Sequence, residues 1–352
     1  MNGFAAMILA VVIAAGVTAL LGFLFVPWLH KLKFGQIILD IGPNWHKHKQ
    51  GTPTMGGLMF IVGVPLAVVL VLGIDHLLGG NMLAHDRSFA IKLIAGMVMA
   101  LAFGLIGFLD DYTKVVKKRN KGLSITQKSM MQIVVIAGYL FALWFAMDRR
   151  PYTLLPFYTD YYGAITGGRL FLSWFFWLFG AAVLYATTNA VNFTDGIDGL
   201  CSSVTLITGT GLAVFALMRG LTGAGVLAAA LVGGCAGFLV WNRPAAKVFM
   251  GDTGSMFIGG MVVAVAFALD TPLILLPMGI IYVIEGLSDV IQIGYFKLTG
   301  GKRIFKMAPI HHHFEMSGWS EKKIDMVFSL VNVLGVIAGL LIAYFGLPGF
   351  LV

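Results

Sequence analysis

The chain has 352 residues, of which 59% are hydrophobic and only 11% charged, and its mean hydropathy is +0.89. A soluble domain carries about 25% charged residues, so this composition excludes a water-soluble globular enzyme and a disordered segment alike. The net charge of +8, which in a soluble protein would hint at nucleic acid, is read here first as membrane topology and second as attraction for anionic lipid or a phosphorylated substrate, with no nucleic-acid partner expected.

Ten apolar runs are long enough to cross roughly 30 Å of hydrocarbon. They cover residues 4–29, 54–73, 91–108, 129–147, 170–188, 199–218, 223–241, 255–270, 272–296 and 324–346. Each must satisfy its own backbone inside lipid, so each is expected to be a helix. The fold class is therefore all-α: a polytopic membrane bundle of about ten spans, with residues 1–352 forming one integral-membrane domain. The first run has no basic segment ahead of it and is longer than a signal-peptide core, so it reads as a retained span. Cys201 and Cys235 lie inside apolar runs without CxxC spacing; they read as small buried hydrophobes, not as a disulfide or zinc site.

The odd-numbered connections hold 18 of the 24 Lys and Arg residues. The positive-inside rule then puts those loops in the cytoplasm and both termini outside. Nearly every polar cluster of chemical interest falls in an odd loop, so residues far apart in sequence are expected at one membrane face.

Taken in chain order, the first loop ends His46-Lys47-His48-Lys49-Gln50-Gly51-Thr52-Pro53-Thr54-Met55-Gly56-Gly57. Pro53 holds Thr52 extended. Cations, hydroxyls and free N–H groups at a helix start suit an anion; the plainer reading is a basic stop signal and a cap. The third loop opens Asp110-Asp111-Tyr112-Thr113-Lys114. Two adjacent carboxylates at a membrane boundary require hydration, pairing or metal. On a helix they point about 100° apart, which suggests different roles, and Lys114 is one turn from Asp110. Downstream lie Lys117, Lys118, Arg119, Lys121 and Lys128, a run that anchors topology at most of its members.

The fifth loop, Asn189 to Gly199, has no basic residue. Asn192, Asp195 and Asp198 recur at intervals of three, which would put helical neighbours on one face. Such oxygen donors suit Mg²⁺ together with a substrate phosphate. The seventh loop carries Phe249-Met250-Gly251-Asp252-Thr253-Gly254-Ser255. Asp252 reads either as a helix N-cap or as a nucleophile, base or metal ligand. The ninth loop holds Pro309-Ile310-His311-His312-His313-Phe314-Glu315. Adjacent histidines lack the i, i+4 spacing of zinc helices, and phosphate contact or proton handling fits them better. Glu285 and Asp289, within the ninth span, are intramembrane carboxylates open to either a packing or a functional reading.

Two anionic partners, one soluble and one lipid, repel each other. Divalent metal and lysine offset that repulsion and the charge that develops during transfer. A site at the membrane boundary is needed when one substrate lives in the membrane. Phosphoryl transfer to a lipid carrier is thus the chemistry these clusters suit.

The strings Asp110-Asp111-x-x-Lys114, Asn192-Phe-Thr-Asp195-Gly-Ile-Asp198-Gly199, Phe249-Met-Gly-Asp252-Thr-Gly-Ser255 and Pro309 to Glu315 resemble those of the polyprenyl-phosphate N-acetylhexosamine-1-phosphate transferases. The His46–Gly57 string and the three histidines narrow the resemblance to the branch that serves peptidoglycan synthesis. It extends over the whole chain. It implies an enzyme of the bacterial inner membrane that moves phospho-N-acetylmuramoyl-pentapeptide from its UDP carrier to undecaprenyl phosphate. The products would be lipid I and UMP, with Mg²⁺ as cofactor.

The same resemblance implies residue roles. Asp110, Asp111 and Asp252 are the essential acids, and His312 counts with them as catalytic. Asp252, with Asp111, binds Mg²⁺, or Asp252 acts as nucleophile; Asp110 deprotonates or positions the lipid phosphate. Asn189, Asn192, Asp195, Gly196, Ile197 and Asp198 line the uridine side with Asn242, and Phe249 stacks on uracil. Lys49, Thr52, Lys114 and Lys128 meet phosphates, and His311 and His313 join His312 at the sugar phosphate. A homodimer and a bent ninth helix are implied as well. The alternatives are a sister transferase using UDP-N-acetylglucosamine and an ion-coupled transporter. The transporter would need Glu285 and Asp289 near the bilayer midplane. An intramembrane zinc protease lacks a ligand pattern.

Overall fold

The computed structural model describes residues 1–32, 51–83, 86–116, 122–158, 169–172 and 174–347. Twelve α-helices account for almost all of it: α1 Gly3–Lys31, α2 Leu58–Leu77, α3 Arg87–Val116, α4 Ile125–Ala146, α5 Phe175–Thr194, α6 Leu200–Met218, α7 Thr222–Asn242, α8 Gly251–Ala268, α9 Leu275–Met278, α10 Ile280–Leu298, α11 Ile310–Glu315 and α12 Glu321–Gly346. The helix starts follow local chemistry. Ser124 closes a capping box with Gln127 at the head of α4, and Ser320 accepts from Lys323 N at the head of α12.

The all-α expectation needs one amendment. Strands β1 Tyr152–Leu154 and β2 Arg169–Phe171 pair antiparallel in the fourth connection. That segment reads from sequence as an undistinguished aromatic and polar linker.

Eight of the described helices are long and apolar enough to cross a membrane: α1, α2, α3, α4, α6, α7, α8 and α12. The ten-span expectation departs from this in two places. Helix α5 has 20 residues, but Tyr185, Thr187, Thr188, Asn189 and Asn192 make its C-terminal half too polar to pass as a plain apolar span. The run expected as one ninth span, 272–296, does not count as a straight helix: it is bent by 89° between the short turn Pro272–Met278 and α10, in line with the bent ninth helix that the family resemblance implies. Pro277 and Gly279 flank the break, where backbone support for a straight helix is weakest.

The contacts define two ends of the bundle. At one end the Met1 amino group meets Asp75 (3.0 Å), and Lys92 meets Asp270 (2.5 Å), which also accepts from Tyr152 Oη (3.0 Å). At the other end Gly56 N donates to Phe249 O (2.9 Å) and Lys128 reaches Asp252 (3.0 Å). Helices α3 and α8 run antiparallel between these ends, joined by Lys92–Asp270 at one and by Gly107 against Asp252 at the other. Beyond its polar first turn, helix α8 is apolar on every face and buried throughout, as a central helix must be. Interior polar groups are paired across helices: Asn332 of α12 donates to Thr208 Oγ1 of α6 (2.9 Å), and Thr205 bonds Tyr282 Oη (2.7 Å). Cys201 and Cys235 are buried free thiols, as expected.

Candidate active site

Helix α3 carries Asp110 and Asp111 in its last two turns, and α8 carries Asp252 in its first. Carboxylate oxygens from all three lie within 4.8 Å of one another. Asp252 is not a helix N-cap; Met250 occupies that position, and no side chain caps it. Asp252 is free to face the cluster, where the positive end of α8 favours its charge.

The two adjacent aspartates do have different surroundings. Asp110 Oδ1 accepts from Leu123 N (2.8 Å) and its Oδ2 meets Lys114 (2.6 Å). It therefore ties α3 to the residue just ahead of the Ser124 cap of α4. Asp111 Oδ2 is held twice by Thr253, through the backbone N (2.9 Å) and through Oγ1 (2.7 Å). Its Oδ1 lies 3.6 Å from Lys114. Asp252 Oδ2 takes both Lys114 and Lys128 at 3.0 Å, and its Oδ1 accepts from Asn192 Nδ2 (2.9 Å), which also reaches Ser255 Oγ (2.8 Å). Three carboxylates thus face two ammonium groups, an arrangement left with one negative charge in excess. Three hard oxygen donors from two helices are the donor set a Mg²⁺ ion takes alongside phosphate, so the residues fit such an ion. Asp110 belongs to that set as well as the expected Asp111 and Asp252.

The fifth loop does not present one helical face. Helix α5 ends at Thr194, Asp195 is its C-cap, and Asp198 lies beyond the helix. Asn192 turns to Asp252. Asp195 accepts from the backbone of Gly251, and burial together with the nearby Asp252, Asp111 and Asp198 charges holds its carboxyl well above the usual range. Asp198 Oδ2 instead accepts from Ala246 N (2.9 Å), and its own N donates to Glu321 Oε2 (3.3 Å). Asn242 bridges Gly199 N (3.1 Å) and Val248 O (2.9 Å). Asp198 and Asn242 therefore brace the walls of the loop, and Ile197 is buried beneath it. Asn189, expected at the substrate, exchanges amide bonds with Gln132 of α4 (3.0 and 3.3 Å).

Phe249 keeps its side chain partly exposed while its backbone is fixed, N to Pro53 O (2.8 Å) and O from Gly56 N. That pairing brings Thr52 and the Gly56-Gly57 turn to the mouth of the site. Lys49, with His46 to His48, lies outside the described residues.

The three adjacent histidines have three different settings. His311 Nδ1 meets Glu285 Oε2 (3.1 Å), and His312 Nδ1 meets Glu315 Oε2 (2.6 Å). His313 Nδ1 accepts from Lys306 N (3.1 Å). A carboxylate only accepts and a backbone N–H only donates. His311 and His312 thus carry their proton on Nδ1, whereas His313 keeps a lone pair there. Glu285 thereby reaches His311, whose ring packs against Gly196 in the loop that follows α5. Spacing alone misses Thr253, Ser255 and Gln132. The first two were visible as hydroxyls beside Asp252, but their partners come from other helices.

A bundle of membrane-spanning helices with an Asp–Asp–Asp–Lys–Lys cluster at one end defines a membrane-bound glycosyl transferase: residues 93–270 match the model of glycosyl transferase family 4. Residues 49–61 match signature 1 of the phospho-N-acetylmuramoyl-pentapeptide-transferases. The chain is 42% identical over 326 residues to the phospho-N-acetylmuramoyl-pentapeptide-transferase of Desulforamulus reducens, covering 92% of each chain. It is 44% identical over 321 residues to that of Acetivibrio thermocellus, covering 91% of this chain and 90% of the relative. It is 41% identical over 346 residues to that of Desulforudis audaxviator, covering 96% and 98%. The chain belongs to the phospho-N-acetylmuramoyl-pentapeptide-transferase family.

Proposed function

We propose that the protein transfers phospho-N-acetylmuramoyl-pentapeptide from UDP-N-acetylmuramoyl-pentapeptide to undecaprenyl phosphate, yielding lipid I and UMP for peptidoglycan synthesis. The observation that carries this reading is the three-aspartate cluster gripped by Lys114 and Lys128, in a chain of this family. The reaction is one displacement at phosphorus. An oxygen of undecaprenyl phosphate bonds to the phosphorus next to the sugar, and the bond from that phosphorus to the UMP oxygen breaks.

In this reading Asp110, Asp111 and Asp252 hold Mg²⁺, which when bound supplies positive charge to the diphosphate. Lys114 and Lys128 add charge beside it and stabilise the oxygens that become more negative during transfer. Thr253 keeps Asp111 aimed at the cluster. Asp110, tied to the segment entering α4, positions the lipid phosphate at the side where the chain is most basic. Asn192, Asp195, Gly196, Ile197 and Asp198 form the nucleotide wall, braced from behind by Asn242, with Asn189 held by Gln132. Phe249 offers its ring to uracil. Lys49 and Thr52 serve the diphosphate from the first loop, and His311, His312 and His313 the sugar phosphate, His312 as catalytic residue. The site faces the cytoplasm of a bacterial inner membrane, both termini lie outside, α5 and the bent α9–α10 pair complete ten passes, and two copies form a homodimer.

Purified protein with Mg²⁺ is expected to release UMP from UDP-N-acetylmuramoyl-pentapeptide only when undecaprenyl phosphate is present. Faster turnover of UDP-N-acetylglucosamine would assign the chain to the sister activity, and no UMP from either donor would end the transferase reading.

A further inference from the structure

Glu285, buried against His311, is a carboxylate that the reaction scheme leaves unused. Both side chains are 0% exposed. Glu285 lies in the second turn of α10, and His311 in the short helix α11. Glu285 Oε2 accepts from His311 Nδ1, so the other ring nitrogen, Nε2, points away; Nε2 and Glu285 Oε1 are both buried without a hydrogen-bond partner among the described residues. Orphaned buried polar atoms are costly, and they need a reason at that spot. The reason lies opposite Nε2. A Cβ on Gly196 would fall 2.0 Å from it, so the imidazole edge lies directly on the backbone of the nucleotide loop. Two residues ahead of that loop's bend, Asp195 is already buried among carboxylates, and the loop has no cation of its own. Residue Gly286, next to Glu285, packs on Ala190 of α5, the helix that delivers the loop.

We propose that Glu285 is a positioning residue for the nucleotide-sugar donor. By holding His311 through Nδ1 it sets the ring's orientation and tautomer, and so aims Nε2 along Gly196 toward the diphosphate of the donor. The inference rests on the transferase reading and adds to it a carboxylate that touches no substrate. It acts on the donor and not on the lipid acceptor, because the chain of contacts runs Glu285, His311, Gly196.

The test is steady-state kinetics on the full-length enzyme with each substrate varied in turn. Losing one hydrogen bond to a charged group is a loss of about tenfold or more. Glu285→Ala is expected to raise the KM for UDP-N-acetylmuramoyl-pentapeptide by that factor and to leave the KM for undecaprenyl phosphate unchanged. Glu285→Gln, whose amide oxygen still accepts from Nδ1, is expected to recover most of the loss. In the His311→Ala background, Glu285→Ala is expected to have no further effect. The proposal is overturned by an unchanged donor KM, by equal changes for both substrates, by Glu285→Gln no better than Glu285→Ala, or by additive effects in the double variant. A lower thermal midpoint with unaltered kinetics would make the pair structural and overturn it too. No turnover by the unsubstituted protein would bring down the transferase reading first.

Discussion

At the scale of single residues, the sequence singles out candidate side chains more readily than it shows what they touch. Asp252 stands out in sequence because it sits among Gly251, Thr253, Gly254 and Ser255. That it is clasped by Lys114, Lys128 and Asn192 depends on three other helices or their ends, which no local pattern reports. Asp252→Asn keeps the shape and one acceptor oxygen but removes the charge that holds both ammonium groups and any metal. Turnover is expected to fall by about a thousandfold or more, the scale of lost charge stabilisation in a site of this kind. The far-ultraviolet spectrum and elution of the purified protein should not change. Thr253 makes a finer probe. Thr253→Val removes the 2.7 Å hydroxyl bond to Asp111 and retains the backbone bond. A loss of roughly 1.5–3 kcal/mol corresponds to a kcat reduced by about ten- to hundredfold, and Thr253→Ser should restore it. Equal activity in the Val variant would show that the backbone bond alone aligns Asp111. The histidines teach the same lesson, since three identical letters in a row receive three different partners.

At the scale of elements, the site depends on how closely α3 approaches α8. Gly107 is one turn before Asp111, and a Cβ there would lie 2.0 Å from Asp252 O and 2.6 Å from Thr253 N. Backbone atoms cannot rotate aside, so Gly107→Ala must push the two helices apart where all three aspartates meet. We expect a destabilisation of about 1–3 kcal/mol, as for other overpacked interiors, seen as a lower thermal midpoint in detergent, together with loss of most activity. Gly138 of α4 is the matched control, because a Cβ there meets nothing within 4 Å. Gly138→Ala should be neutral or stabilising by up to about 1 kcal/mol. A similar loss at both positions would mean that glycine content, not helix approach, sets stability. Hydropathy located most of the apolar elements to within a few residues, because lipid demands long helical runs, but it ended α3 at residue 108 where the helix runs to Val116 and began α5 at residue 170 where the helix starts at Phe175. It could not locate the bend before α10, where the apolar pattern continues unbroken from Pro272 to Ile284 while the chain turns by 89°. The pairing of β1 with β2 was equally hidden, since three-residue strands are fixed by Asp270 O, which accepts from Leu154 N (2.7 Å), and not by their own pattern.

At the scale of the whole molecule, one inference from sequence still governs the rest: that 18 of 24 basic residues mark one side of the membrane. The bundle has two polar ends of different kinds. The end with Lys92, Asp270 and Tyr152 is closed by neutralising pairs. The end with the aspartate cluster keeps lysines facing carboxylates in a site only partly buried, with Lys114 and Asp252 both reachable from solvent. A reaction between a soluble nucleotide and a membrane lipid needs the second kind, and the proposed function together with the charge count predicts that the two ends lie on opposite sides with the cluster inward. Cysteine labelling in intact and inverted membrane vesicles tests this directly. The native Cys201 and Cys235 are buried, so they give little background with a charged maleimide that cannot cross the bilayer. Cysteine placed at the exposed positions Lys302 or Lys247 should react only in inverted vesicles. Cysteine at the exposed positions Arg149 or Arg150 should react only in right-side-out ones. Labelling of Lys302→Cys and Arg149→Cys from the same side would break the link between charge and orientation, because α10 and α4 would then end on one face and the donor could not reach the aspartates from the cytoplasm.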